Sequence, residues 1–204
     1  MGKQLRGDEH ITFEGMPTGY LITDFWRWSS SDLLTNTLRG TYAEFIVAMA
    51  LGADITEGRV EWADFDLSFP LEWDDGEEHR TTVRVEVKSS SYLQAWEQSK
   101  PSVISFDIKR TTGWSPETGY SPDLDRRSDV YVFCLYTIAD RSKADLLNLD
   151  GWQFYVASTK RINAICGTQK RISLSALSKL DPIKTDYVGL SAAVETCLKT
   201  GGST

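Results

Sequence analysis

The chain has 204 residues, 41% of them hydrophobic and 25% charged, and a formal net charge of −7. This composition is globular and long enough for one domain with a core, which excludes general disorder and low-complexity classes. It lacks the basic excess of a nucleic-acid coat protein, and no apolar stretch reaches the ~18 residues of a membrane-spanning helix.

The charge is uneven along the chain. Residues 1–80 carry 6 Lys/Arg against 16 Asp/Glu, and residues 81–204 carry 16 against 13. The acidity concentrates between Asp54 and Glu78. Basic residues that could gather on one face to meet phosphates are Lys100, Lys109, Arg110, Arg126, Arg127, Lys160, Arg161, Lys170 and Arg171. For any one of them a solvated surface charge is the plainer expectation. The segment MGKQLRGDEHITFEG has no apolar core of the signal-peptide kind. Cys134, Cys166 and Cys197 sit far apart among apolar neighbours, as buried thiols of a reducing, cytoplasmic protein would. With His10 and His79 the only histidines, a His-built zinc site is not expected.

In chain order, Ser30, Ser31 and Asp32 offer caps for a following helix. Leu33, Leu34, Leu38, Phe45, Val47, Ala48 and Leu51 then recur at near-helical spacing. Gly40 is a candidate break and Gly52 a C-terminal stop. Trp26 and Trp28 precede this helix. Arg59 to Phe69 alternates like a strand, and Asp74-Asp75-Gly76 signals a turn. Thr81 to Lys88 is the next strand, with Val83, Val85 and Val87 on one face and Arg84, Glu86 and Lys88 on the other. Ser90 to Gln98 reads as a short helix and Val103 to Ile108 as a strand. Thr111 to Arg127, with Gly113, Pro116, Gly119 and Pro122, reads as a surface loop. The run DVYVFCLYTI (129–138) suits a strand buried on both faces. Trp152 to Ala157 is a further strand. Thr159–Cys166, Ser175–Leu180 and Leu190–Lys199 are expected helices, and Thr200–Thr204 a frayed tail. No repeat or linker divides residues 1–204, so a single α/β domain with a mixed central sheet is expected.

Glu86 and Lys88 are two apart on a strand and share a face. Asp64 and Asp66 are likewise two apart, on the strand across the turn. Pairing the strands brings one aspartate next to Glu86. Two adjacent carboxylates repel unless a cation intervenes. Hard oxygen donors suit Mg²⁺ or Mn²⁺, an ion that can polarise a phosphoryl oxygen and orient water. Lys88 could position the water or help deprotonate it. Removing one acid of such a pair is expected to leave the fold intact.

These residues resemble the PD-(D/E)XK, or restriction-endonuclease-like, nuclease superfamily over Asp32 to Lys109. The matching segments are TYAEFIVAMAL, EWADFDLSF, RVEVKSSSYLQAWEQ and ISFDIK. The resemblance implies an α/β/α sandwich around a central mixed sheet, completed by residues 129–200. It assigns metal binding to Asp66 and Glu86, with Glu44 on the first helix assisting and Asp64 as second choice. It makes Lys88 the catalytic lysine and places Gln94 or Gln98 in an orienting role. Phe65 stands where the family often has proline. The implied activity is Mg²⁺- or Mn²⁺-dependent hydrolysis of nucleic acid, DNA first, in the cytoplasm, with a homodimer where both strands are cut. A nuclease fold that binds nucleic acid or protein without cutting stays open, as does an acidic hairpin that mimics nucleic-acid charge. No GxSxG, P-loop, GxGxxG or Cys-x-x-Cys occurs.

Overall fold

The alternation of Val83, Val85 and Val87 with charged residues builds a strand that is apolar on one side only. The neighbouring run from Val130 to Tyr136 is buried at every position, so its strand must lie mid-sheet. A computed structural model describes residues 4–56, 59, 64–74, 78–115 and 119–201. It places these two strands side by side and parallel, with Glu86 opposite Tyr131 and Lys88 opposite Phe133.

The chain opens with a hairpin, β1 (His10–Phe13) and β2 (Met16–Leu21), followed by helix α1 (Ile22–Ser30). Then come α2 (Asn36–Leu51), β3 (Leu67–Asp74), β4 (Glu78–Ser91) and β5 (Ser105–Asp107). A second hairpin follows, β6 (Thr111–Ser115) and β7 (Gly119–Asp125), and then β8 (Val130–Tyr136) and β9 (Trp152–Ser158). The chain ends with α3 (Thr159–Cys166), β10 (Arg171–Ser173), α4 (Leu174–Leu177), β11 (Ile183–Thr185) and α5 (Leu190–Gly201). The main sheet runs β11-β9-β8-β4-β3, with only β4 and β8 parallel. It is a mixed α/β domain, with helices on both faces of the sheet.

On one face, Val83, Val85, Val87, Val132 and Cys134 pack with Ile46 and Val47 of α2 and Val194 of α5. On the other, Phe133 and Leu135 pack with Phe106 of β5, Ile162 of α3 and Leu177 of α4. Phe106 and Phe133 meet edge-on, with ring centroids 5.1 Å apart, a favoured aromatic geometry.

Several expectations are corrected. Ser30–Asp32 does not cap α2; Thr35 does, its hydroxyl accepting from the Leu38 amide. α2 runs through Gly40 unbroken and ends on Gly52 at φ 65°, a left-handed stop that glycine adopts freely. Trp26 and Trp28 lie on α1, which begins where Asp24 accepts the Leu21 amide at 2.9 Å. Asp64–Asp66 precede β3, which starts at Leu67; residues 60–63 and the turn at 75–77 lie outside the described residues. Ser90–Gln98 forms no helix. β4 continues to Ser91, and an irregular segment follows. In Thr111–Arg127, read as a loop, Thr111–Ser115 pairs antiparallel with Gly119–Asp125, while 116–118, with Pro116, lie outside the described residues. α5 runs past Lys199 through Thr200 to Gly201, where a frayed tail is expected; residues 202–204 lie outside the described residues. Cys134 and Cys197 are buried as expected, and burial pushes Cys197 up to about 11, whereas Cys166 is only half-buried.

Candidate active site

β3 and β4 pair from Asp74 opposite Glu78 to Leu67 opposite Val85. One residue earlier, the Asp66 amide still donates to Val85 O at 3.1 Å. At the next rung the chain changes partner. The Val87 amide donates to the Asp66 carboxylate, 2.7 Å from Oδ2. The Asp66 side chain thus replaces a backbone carbonyl at the end of the ladder. A carboxylate held this way stands at the sheet edge, within reach of both faces.

On one face it meets β4's charged row. Lys88 Nζ is 2.5 Å from Glu86 Oε1 and 3.8 Å from Asp66 Oδ2. All three side chains are 20–26% exposed, enough for a small solute to reach them. On the α2 side, Asp66 and Glu44 line one open pocket of about 420 Å³, with Phe45, Arg59 and Leu67. Glu44 is engaged there by Arg59, through Nε and through Nη2 at 3.1 Å. The other candidates lie elsewhere. Asp64 faces Arg127, with Oδ2 4.0 Å from Nε. Gln94 is buried and donates to Ser91 O (3.1 Å) and Ser102 Oγ (3.2 Å). Gln98 accepts from the Gln94 amide. Both glutamines tie down their own segment; their hydrogen bonds do not go to the carboxylates.

The electrostatics follow from crowding. Burial raises the Glu86 carboxyl above its ordinary value; Asp66 and Glu44 add to this, and together they outweigh Lys88. Burial alone would lower the Lys88 ammonium, but Glu86 and Asp66 beside it leave it raised. A raised value keeps Lys88 protonated at neutral pH, so it presents a positive charge to the two carboxylates. Tyr131, opposite Glu86, is pushed far up by burial and then by the Glu86 charge, so its phenol keeps its proton.

Asp66 Oδ1 and Glu86 Oε2 have no hydrogen-bond partner among the described residues. Two carboxylate oxygens without a hydrogen-bond partner are the type of donor a hard divalent cation takes. Mg²⁺ in particular is commonly held by one or two carboxylates plus water and substrate phosphate. Among the described residues no group of three or more His, Cys, Asp or Glu is placed to hold a metal ion.

Two residues near the site escape sequence reasoning. Arg59 had a signal, being the one cation between Asp54 and Glu78. Tyr131 had none short of strand pairing. Of the basic candidates, Arg126 is not a surface charge at all. It is 4% exposed and bonded to Ile108 O, Asn163 Oδ1, Gly167 O and Gln169 O. Comparison with protein-family models, with curated proteins and with solved structures gives no match to this chain.

Proposed function

We propose that the sheet edge carrying Asp66, Glu86 and Lys88 hydrolyses nucleic-acid phosphodiester bonds with a divalent cation, as the resemblance to PD-(D/E)XK nucleases implies. The observation that carries this reading is the placement of the Lys88 ammonium. It lies against two carboxylates from different segments, where β3 gives way to a side chain. Three acids, Glu44, Asp66 and Glu86, lie near the edge with Lys88 and Arg59 as counter-charges, and the Glu86 carboxyl is raised by burial first, with Asp66 and Glu44 adding to it. A cation bound beside Glu86 would favour its charged form, which a neutral or apolar substrate would not.

Asp66 and Glu86 would hold Mg²⁺ or Mn²⁺, with Glu44 contributing once it gives up Arg59. The ion would supply neutralisation of charge on the phosphoryl oxygens and leaving oxygen. Lys88, protonated throughout, would donate to the attacking water or to a non-bridging phosphoryl oxygen and hold it in line. Tyr131 would keep the rear of Glu86 dry. DNA is the substrate class the resemblance favours.

A second reading has its own observation. Arg59 takes both oxygens of Glu44, so part of the acidity is compensated without metal. A nuclease-like module that binds without cutting would look the same there. Calorimetric titration of Mn²⁺ into the metal-free protein separates the two. One site lost in both Asp66→Asn and Glu86→Gln supports the hydrolytic reading. No metal uptake with DNA binding retained supports the binding module.

A further inference from the structure

We propose that Arg127 is the seat for a backbone phosphate of the nucleic acid, with Asp64 holding its place until the phosphate arrives. The inference rests on the function proposed above and names a substrate contact for it.

β6 and β7 form a hairpin that leaves the body beside the active edge, between β5 and β8. Its base is fixed. The Arg126 guanidinium reaches four acceptors on the segment after β5, on α3 and on the loop beyond it. Arg127, the next residue, is in the reverse situation. It donates one hydrogen bond, from Nη2 to Asp123 O at 2.9 Å. Its Nε is buried and has no hydrogen-bond partner among the described residues. Asp64 is nearby at 4.0 Å, too far for a hydrogen bond.

The guanidinium is also built into place. It lies over Gly113, where the register of the β6–β7 pair shifts. A Cβ on residue 113 would fall 2.3 Å from Arg127 Nε. Gly113 thus clears the seat that the planar fork occupies. A guanidinium fork matches phosphate oxygens two at a time. The Arg127 side chain is 22% exposed, so a phosphate can meet the guanidinium from outside, and a turn of the fork toward it would give the buried Nε the acceptor it lacks.

The position suits the role. Asp64 is two residues before Asp66, so Arg127 stands beside the chain that carries the metal-binding acid. Asp64 also acts electrostatically on Arg84, which shares the β4 face with Glu86, one pleat repeat or roughly 7 Å away, and with Lys88 one repeat further. Phosphate entering this corner would exchange the loose Asp64 contact for direct hydrogen bonds. Asp64 would then act as a resident stand-in for phosphate charge and lower the affinity it competes with.

The test is fluorescence anisotropy with a labelled DNA duplex in EDTA, where binding is read without cleavage, at several salt concentrations. Arg127→Gln is expected to weaken binding several-fold and to reduce the slope of log affinity against log salt by about 1. Gly113→Ala, which displaces the guanidinium and keeps the charge, is expected to weaken it as well. Asp64→Asn is expected to tighten binding, an outcome that damaged folding would not produce. Wild-type affinity and salt slope in Arg127→Gln would overturn this inference alone. Absence of DNA binding by the wild type would overturn it together with the nucleic-acid reading.

Discussion

The Asp66 carboxylate accepts the Val87 amide at 2.7 Å, at the rung where β3 has no residue left to offer. One side chain thus ends a ladder and also supplies a candidate metal ligand. This hydrogen bond argues against the expectation that removing either acid leaves the fold little affected. Asp66→Ala is expected to lose metal and also to destabilise the protein by about 1–3 kcal/mol, because a half-buried amide is left without an acceptor. Asp66→Asn keeps an oxygen for Val87 and is expected to lose less than about 1 kcal/mol while still losing metal. Urea unfolding of both variants in EDTA checks the difference.

Glu86 sets a pH dependence of known sign. Its folded value is raised, by burial first and then by Asp66 and Glu44, so ionising it costs more folded than unfolded. Without divalent cation, stability should begin to fall as pH climbs past the ordinary glutamate value of 4.5 and level off above the raised one. Glu86→Gln should flatten that part of the curve and melt higher than wild type at neutral pH in EDTA. Thermal melts across the weakly acidic range provide the measurement.

Asp129 should show the opposite slope. Burial opposes its ionisation, but two hydrogen bonds from the Arg84 side chain and one from its amide leave it below its ordinary value of 3.8. Its contribution is present above that value and lost as pH falls through the lowered one. The pair is partly exposed, so the amount is about 0.5–1 kcal/mol. Asp129→Asn should lose that much at neutral pH and nothing further in acid.

Much of this architecture is readable from residues whose burial is decided locally. The apolar run from Val130 to Tyr136 demanded a central strand, and Gly52 demanded a helix end; both are there. The valine alternation put Glu86 and Lys88 on one face. What failed was decided by tertiary partners. Ser90 to Gln98 has helix-forming residues, yet Ser91 stays in β4 opposite Tyr136, and Gln94 and Gln98 spend their amides on the segment's own backbone and on Ser102. Thr111 to Asp125 carries the Gly and Pro of a loop, but its backbone pairs with itself and Arg126 anchors its base. The choice between Asp64 and Asp66 depends on Arg127 and Lys88, which lie far along the chain.

Gln94 gives a direct check on that tertiary explanation. Its amide group donates to Ser91 O and Ser102 Oγ, while Oε1 is buried without a partner among the described residues. Gln94→Ala should cost about 1 kcal/mol in urea unfolding, since two donated bonds are lost and one unsatisfied acceptor is removed. Gln94→Glu should cost more, because a carboxylate has no protons for those two acceptors.

The decisive measurement is cleavage of supercoiled plasmid DNA by wild type, Asp66→Asn and Lys88→Ala, each with Mg²⁺, with Mn²⁺ and with EDTA. Nicking by the wild type with either ion, abolished by EDTA and by both substitutions, is the expected result. Nicking that persists at the wild-type rate in folded Asp66→Asn and Lys88→Ala, or no nicking by any of the three with either ion, would contradict it.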